Sequence, residues 1–300
     1  MNILLFGKNG QVGWELQRSL APLGKLIALD NDSKELCGNF TDPDGIAQTV
    51  RATAPDVIVN AAAYTAVDKA ETETGLAHSI NTLAPGILAQ EAKRCNAWLI
   101  HYSTDYVFDG SGNKPWLETD TAAPLNAYGA TKLEGDNLIR QSGCRHLIFR
   151  TSWVYGTRGC NFAKTMLQLA KERDSLTVVN DQIGAPTGAD LLADITAHAI
   201  RAARQREDLS GLYHLAAAGE TSWHGYAEFV LGFARCAGIP LRVAPDAIRP
   251  VPSSAFPTPA KRPLNSRLDA TKLQHTFDLS LPMWQAGVER MLSEVLDSWK

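Results

Sequence analysis

Short apolar runs alternate with longer amphipathic stretches through the first half of the chain. The runs are Asn2 to Phe6, Leu26 to Asp30, Asp56 to Ala62, Ala97 to Thr104 and His146 to Ser152. Each is too short for a helix and nearly continuous in Ile, Val, Leu and Ala, the pattern of strands buried on both faces. Between them Gln11 to Ala21, Asp44 to Thr53, Val67 to Asn96 and Asn126 to Gln141 carry helical spacing, with a break expected at Pro85, whose ring does not fit a helix interior. Parallel strands need crossover connections, so the alternation predicts an α/β fold with a doubly wound parallel sheet. Beyond about Tyr155 the pattern loosens. Asn161 to Arg173 and Gly188 to Gln205 read as helices, and Leu176 to Asn180 and Gly211 to Ala217 as extended segments. Proline collects between Ile239 and Arg267, ahead of two final helices, Leu268 to Phe277 and Pro282 to Lys300.

The first run meets Gly7-Lys8-Asn9-Gly10-Gln11-Val12-Gly13 and then a helix, giving strand, glycine-rich turn, helix. Gly7 permits the tight turn, Gly10 lets backbone approach a pyrophosphate, and Gly13 lets the helix pack on the strand, with the helix N-terminus facing the anion. The second run ends in Asp30, about 20 residues further on, where a carboxylate accepts from an adenosine ribose. Lys8, in the same turn, suits a ribose 2′-phosphate, so NADH and NADPH both stay open. The sheet is therefore read as Rossmann-type. A dinucleotide-binding domain is expected over 1–155, with parts of 175–217 returning to the sheet, and a smaller C-terminal substrate-binding lobe over 156–300, with an interleaved boundary.

Tyr128 and Lys132 are four apart on an expected helix and share a face. An ammonium beside a phenol favours phenolate, so a Tyr128 pKa lowered from about 10 is expected, suiting a general acid. Thr104 ends the fourth run and offers a hydroxyl to a substrate carbonyl, or simply caps a turn. Ala61 to Ala63 allow either a cofactor's close approach or tight packing. Trp153, at the end of the fifth run, presents a face for stacking on a sugar or base, or packs in the core. Lys261, Arg262 and Arg267 suit a diphosphate or a solvated loop. His101 reads as a buried structural residue.

The composition narrows the classes. A net charge of -3 with scattered basic residues disfavours nucleic acid. Five widely spaced cysteines without C-x-x-C suit free thiols in a reducing compartment. With no run near about 18 apolar residues and no signal segment, a cytoplasmic enzyme without a membrane partner is expected. No H-E-x-x-H or G-x-S-x-G occurs, so metallohydrolase and serine hydrolase readings lack support.

Gly7 to Gly13, Ser103-Thr104 and Tyr128 to Lys132 together resemble the extended short-chain dehydrogenase/reductases. Within them, Asn60 to Glu71, His101 to Gly110, Arg150 to Gly156, Gly184 to Thr187 and Arg262 to Asp269 are similar to the dTDP-4-dehydrorhamnose reductase family, over almost the whole chain. The resemblance implies NAD(P)H-dependent reduction of the C4 ketone of dTDP-4-dehydro-L-rhamnose to dTDP-L-rhamnose, a cell-surface polysaccharide precursor. It implies catalytic roles for Tyr128, Lys132 and Thr104, and cofactor contacts at Gly10, Gln11, Val12, Asp30, Asn39, Phe40, Ala63, Tyr64, Thr65, Tyr102, Tyr128 and Lys132. It puts substrate contacts at Thr104, Asp105, Tyr128 and Trp153. It also implies a homodimer with interface magnesium, for which Glu15, Asp190 and Glu294 are the matching acids. Asn39 stands where the wider superfamily has an aspartate facing adenine; its amide still pairs with the base. Two other readings compete. One is a non-catalytic nucleotide-binding subunit on the same fold. The other is a nucleotide-sugar epimerase or dehydratase, though dehydratases need an acidic pair beside the threonine and here Asp105-Tyr106 follows it.

Overall fold

The first strand, β1 (Asn2–Phe6), sorts its side chains by parity, as any strand must. Ile3 and Leu5 enter a core with Leu16, Leu20, Leu192 and Ala199, while Leu4 and Phe6 enter another with Ile46, Val50, Leu88 and Ile139. Helices therefore cover both faces of one sheet. The computed structural model describes residues 1–297. In chain order the sheet region comprises β1, α1 (Gln11–Leu20), β2 (Lys25–Leu29), α2 (Pro43–Thr53), β3 (Val57–Asn60), α3 (Val67–Ala70), α4 (Thr74–His78), α5 (Ala84–Arg94), β4 (Trp98–Thr104), α6 (Ala127–Ser142) and β5 (Arg145–Thr151). Then follow β6 (Val154–Tyr155), α7 (Phe162–Glu172), β7 (Leu176–Val179), β8 (Ile183–Gly184), β9 (Thr187–Gly188), α8 (Ala189–Ala203) and β10 (Gly211–His214). The chain continues through β11 (Thr221–Ser222), α9 (Trp223–Cys236), β12 (Ile248–Val251), α10 (Thr271–Phe277) and α11 (Trp284–Asp297).

The central sheet runs β10-β5-β4-β3-β1-β2, every pair parallel. The order reverses between β1 and β3, and the loops that carry the reactive residues leave the same C-terminal edge. A third core, with Met166, Leu167, Tyr226, Val230, Trp284, Val288 and Leu292, joins α7, α9 and α11 beside that edge. The last three residues of the helix expected over Pro282 to Lys300 lie outside the described residues.

One element departs from expectation. The stretch read as a helix over Val67 to Asn96 is interrupted at Glu71 to Glu73, and Pro85 does not break it. Helical backbone runs unbroken from α4 through a π-helical turn, Ser79–Leu83, into α5. Pro85 is the second residue of α5, directly after the π-helical turn, so the gap a proline leaves in the regular i→i−4 bonding falls where that pattern is already altered. The wide turn serves a purpose. Its Asn81 accepts from Tyr64 N at 2.9 Å and donates to Tyr64 O at 3.1 Å, fixing the loop after β3.

Candidate active site

The glycine turn is built by close contact. Gly7 has φ 84°, and a side chain there would meet Ala61 backbone at 2.7 Å; a Cβ on Gly13 would lie 1.9 Å from Gly7 O. Gly10 is the extended N-cap of α1 and has no side-chain cap, leaving that helix end's N–H groups aimed at the sheet edge. Gly10, Gln11 and Val12 line a cleft of about 530 Å³ together with Ala63, Thr65, Tyr102, Thr104, Asp105, Tyr128, Lys132 and Trp153. The structure thus gathers most of the expected residues in one place. Asp30, Asn39, Phe40 and Tyr64 lie off that lining. Asp30 follows β2 at the same edge, and Asn39 Oδ1 accepts from Thr41 N at 3.0 Å in a local turn. Phe40 packs into the core, edge-on to Phe6 at 5.4 Å. The Tyr64 hydroxyl donates to Glu73 at 2.7 Å.

Helix α6 carries the Tyr-Lys pair. Asn126 caps it, accepting from Gly129 N at 2.8 Å, and its amide donates to Lys261 O at 2.8 Å, tying the helix start to a distant loop. Lys132 is buried; its Nζ donates to Tyr102 O at 2.6 Å and lies 3.2 Å from His101 Nε2. The expected lowering of the Tyr128 pKa is not met here. Burial pushes the phenol up to about 12, with the Thr104 hydroxyl opposing. Burial likewise brings Lys132 down to about 8, with Asp136 opposing. Desolvation outweighs pairing because both groups are taken out of water and the lysine points toward β4.

Thr104 caps a turn, one of the two roles considered for it. It lines the cleft, accepts from Tyr106 N at 3.1 Å as the cap of a short 3-10 turn, and donates to Asp105 Oδ1 at 3.2 Å. Asp105 is buried, and burial raises its carboxyl to about 7, with the Ser266 and Thr104 hydroxyls opposing. Trp153 sits at φ 49°, a strained conformation for a bulky residue, with its ring stacked at 3.7 Å on Trp223. Gly184 makes room, since a Cβ there would meet the Trp153 ring at 2.8 Å. Trp223 and Tyr106, which packs edge-on to Tyr128 at 5.7 Å, escaped the sequence reading. Tyr106 lies within the quoted stretch His101 to Gly110 but was given no role, and no quoted motif includes Trp223. Both also line an adjoining cavity of about 760 Å³ bordered by Lys261 and Arg262. Arg262 is paired with Asp68 at 2.8 Å and Arg267 with Glu220 at 2.6 Å, so of the three expected basic residues only Lys261 lines that cavity without such a pair in view.

The profile described as "RmlD substrate binding domain" matches residues 1–296. The dTDP-4-dehydrorhamnose reductase of Escherichia coli K12 is 61% identical over 98% of each chain, and that of Burkholderia thailandensis 46% over 99% of each. The chain belongs to the dTDP-4-dehydrorhamnose reductase family. A reductase of that name from Bacillus anthracis, solved in complex with NADP, superposes with a TM-score of 0.87 at 34% identity, over 98% of this chain and 99% of that one. Family membership makes this chain a nicotinamide-dependent oxidoreductase.

The metal expectation fares differently. Glu15, Asp190 and Glu294 do line one small recess, but Arg290 lines it with them. Its guanidinium donates to Asp190 Oδ2 at 2.9 Å and pairs with Glu294 at 3.4 Å, while Glu15 pairs with Arg18 at 3.4 Å. Among the described residues no group of three or more His, Cys, Asp or Glu is placed to hold a metal ion. Within the single chain each of these carboxylates pairs with an arginine that is itself more than half exposed.

Proposed function

We propose that this chain reduces the C4 ketone of dTDP-4-dehydro-L-rhamnose to dTDP-L-rhamnose with NADPH or NADH, in the supply of precursors for cell-surface polysaccharide such as the O-antigen of lipopolysaccharide. The observation that carries it is the meeting of Thr104, Tyr128 and Lys132 with the capless start of α1 in one cleft. Gly10, Gln11 and Val12 hold the pyrophosphate at the helix N-terminus, Asp30 accepts from the adenosine ribose, and Asn39 pairs with the adenine. Lys132 reaches the nicotinamide ribose. When bound, the nicotinamide supplies a hydride to the carbonyl carbon. Thr104 aligns the carbonyl, and Tyr128 delivers the proton to the developing alkoxide. A phenol raised to about 12 stays protonated across the neutral range, as an acid must before it acts. Trp153, braced by Trp223, gives the sugar a flat face, and the adjoining cavity takes the nucleotide, with Lys261 near its diphosphate.

The same resemblance supports a homodimer, a cytoplasmic setting and a substrate-binding role for the lobe beyond residue 155. Among the described residues no helix is long and apolar enough to cross a membrane. The deciding experiment follows absorbance at 340 nm. One NAD(P)H consumed per 4-keto sugar nucleotide supports the reductase. An epimerase or dehydratase recycles its cofactor and shows no net loss, and a non-catalytic subunit shows no product.

A further inference from the structure

The start of α1 carries a further donor beside its backbone N–H groups, the carboxamide of Gln11, and that amide is oriented from outside the helix. Gln11 is the first residue of α1 and lines the cleft. Its side chain lies against the loop after β6, where a Cβ on Gly159 would sit 3.4 Å from Gln11 Cγ. Lys164 holds that loop by donating to the carbonyls of Thr157 and Gly159. The residue that meets the amide is Asn161, and its own orientation is fixed at both ends. As the N-cap of α7 its Oδ1 accepts from Lys164 N at 3.2 Å, and its Nδ2 donates to Gly156 O at 2.7 Å. A backbone N–H only donates and a carbonyl only accepts, so neither arm of the Asn161 amide can be exchanged. The same Nδ2 lies 3.1 Å from Gln11 Oε1. A donor must face an acceptor, which assigns Gln11 as well: Oε1 meets Asn161, and Nε2 with its two N–H groups forms the other arm. Nε2 makes no hydrogen bond among the described residues.

We infer that Asn161 is a positioning residue for the dinucleotide: by holding Gln11 Oε1 it turns the Nε2 N–H groups to the cleft, where they donate to the pyrophosphate. The place suits an anion. Gly10 brings no side-chain cap, so the N–H groups of the first turn and the helix dipole already favour negative charge there. Oε1 turned the same way would set a lone pair against a phosphate oxygen, and Asn161 excludes that orientation. An amide held before the ligand arrives also loses less freedom on binding. The contact joins the sheet to the third core, because Asn161 caps the helix whose Ala163, Met166 and Leu167 enter that core. The placing of the pyrophosphate at this helix start rests on the function proposed above.

The test reads cofactor binding without sugar nucleotide, so a negative result leaves the C4 reduction standing. Asn161→Asp keeps the cap, since a carboxylate accepts from Lys164 N as an amide oxygen does, but it turns the donor facing Gln11 into an acceptor. Gln11 then flips to donate from Nε2 and presents Oε1 to the phosphates. Calorimetric titration should show NADH and ADP-ribose, which lacks the nicotinamide, both weakened by at least about tenfold, the loss expected for one hydrogen bond to a charged group. In a Gln11→Ala background Asn161→Asp should add less than about twofold, because its effect passes through the amide. Gln11→Glu leaves Asn161 and its cap untouched, keeps an oxygen for Asn161 Nδ2 and puts a second oxygen where Nε2 stood. It should bind both probes more weakly than Gln11→Ala. Wild-type affinity in either Gln11 variant, or a loss with NADH that ADP-ribose does not share, overturns the inference. So does an Asn161→Asp loss of equal size with and without the Gln11 amide, which would come from the added charge alone. The Gln11 variants decide the matter even where Asn161→Asp fails to fold.

Discussion

The two walls of the cleft are assembled by different routes. On the cofactor side, Gly7 to Gly13, Asp30, Ala63, Thr104 and the Tyr128-Lys132 pair each follow a strand or open a helix of one repeated strand-helix unit. On the other side, Gly184, Trp223 and Lys261 come from short segments far apart in the chain, and they gather around Trp153, which follows β5, and Tyr106, which follows β4. A wall built from repeated units inherits its geometry from the sheet: once the strands pair in parallel, their ends line up. The other wall has no such rule and depends on each packing contact separately. Substitutions on the two walls should therefore separate cleanly into effects on chemistry and cofactor on one side and on the sugar nucleotide on the other.

The largest expected effect is at the junction. Tyr128→Phe should lower turnover by about 10²- to 10⁴-fold, the usual range for a lost general acid, with cofactor affinity measured by fluorescence titration close to wild type. Turnover near wild type would remove Tyr128 as the proton donor.

On the substrate wall, Trp153→Ala and Trp223→Ala should each raise the sugar-nucleotide KM up to about tenfold, because a stacked pair contributes about 0.5–1.5 kcal/mol. Cofactor affinity should not change. A fall in melting temperature with unchanged KM would reassign the pair to the core and blur the division between walls.

On the cofactor wall, Asp30→Ala should move the ratio of kcat/KM values toward NADPH by roughly tenfold, about 1.4 kcal/mol, by removing a carboxylate that accepts from a ribose 2′-OH and repels a 2′-phosphate. Wild type should modestly prefer NADH. Competition between the two cofactors that gives one ratio for both proteins would show that Asp30 does not read the ribose.

The smallest expected effect is thermal. The Asp105 carboxyl is raised from 3.8 to about 7 in the folded chain, so the folded state holds this proton more tightly than the unfolded one. The resulting cost is absent below about pH 4, grows as pH rises toward 7 and is complete above it. Asp105→Asn, which carries no charge, should melt a few degrees above wild type at pH 8, with the gap closing toward pH 4, since about 1 kcal/mol moves Tm by about 2–4 °C in chains of this size. A gap that widens on acidification would reverse the assigned sign.

Much of the cofactor wall was legible because backbone hydrogen bonding and strand burial leave a periodic trace. The runs ending at Phe6, Asp30 and Thr104 gave three strands of the sheet, and a glycine at position 13 can be read as close packing before the 1.9 Å contact is seen. Trp223 was not legible: a tryptophan after a helix-capping serine looks the same whether it braces a binding residue or fills a core. Pro85 misled for the opposite reason. Its local meaning is clear, but a preceding π turn, held by Asn81 against the loop at Tyr64, changes what the ring must fit.

The sequence by itself determined the parallel sheet, the glycine-rich turn that opens α1 and the placing of Tyr128 and Lys132 on one helix, because each follows from interactions within a few residues or from the alternation of whole elements. Tertiary structure alone decided the state of the groups. The pairing of Tyr128 with Lys132 pointed to a lowered phenol, yet burial raises it, since removal from water acts on each charge at close to full strength while the lysine is turned toward Tyr102 and His101. The family resemblance pointed to a metal on Glu15, Asp190 and Glu294, and in the single chain Arg290 stands among them. Charge in a folded chain depends on the sum of desolvation and every neighbour in space, and neither is written in the spacing of residues along it.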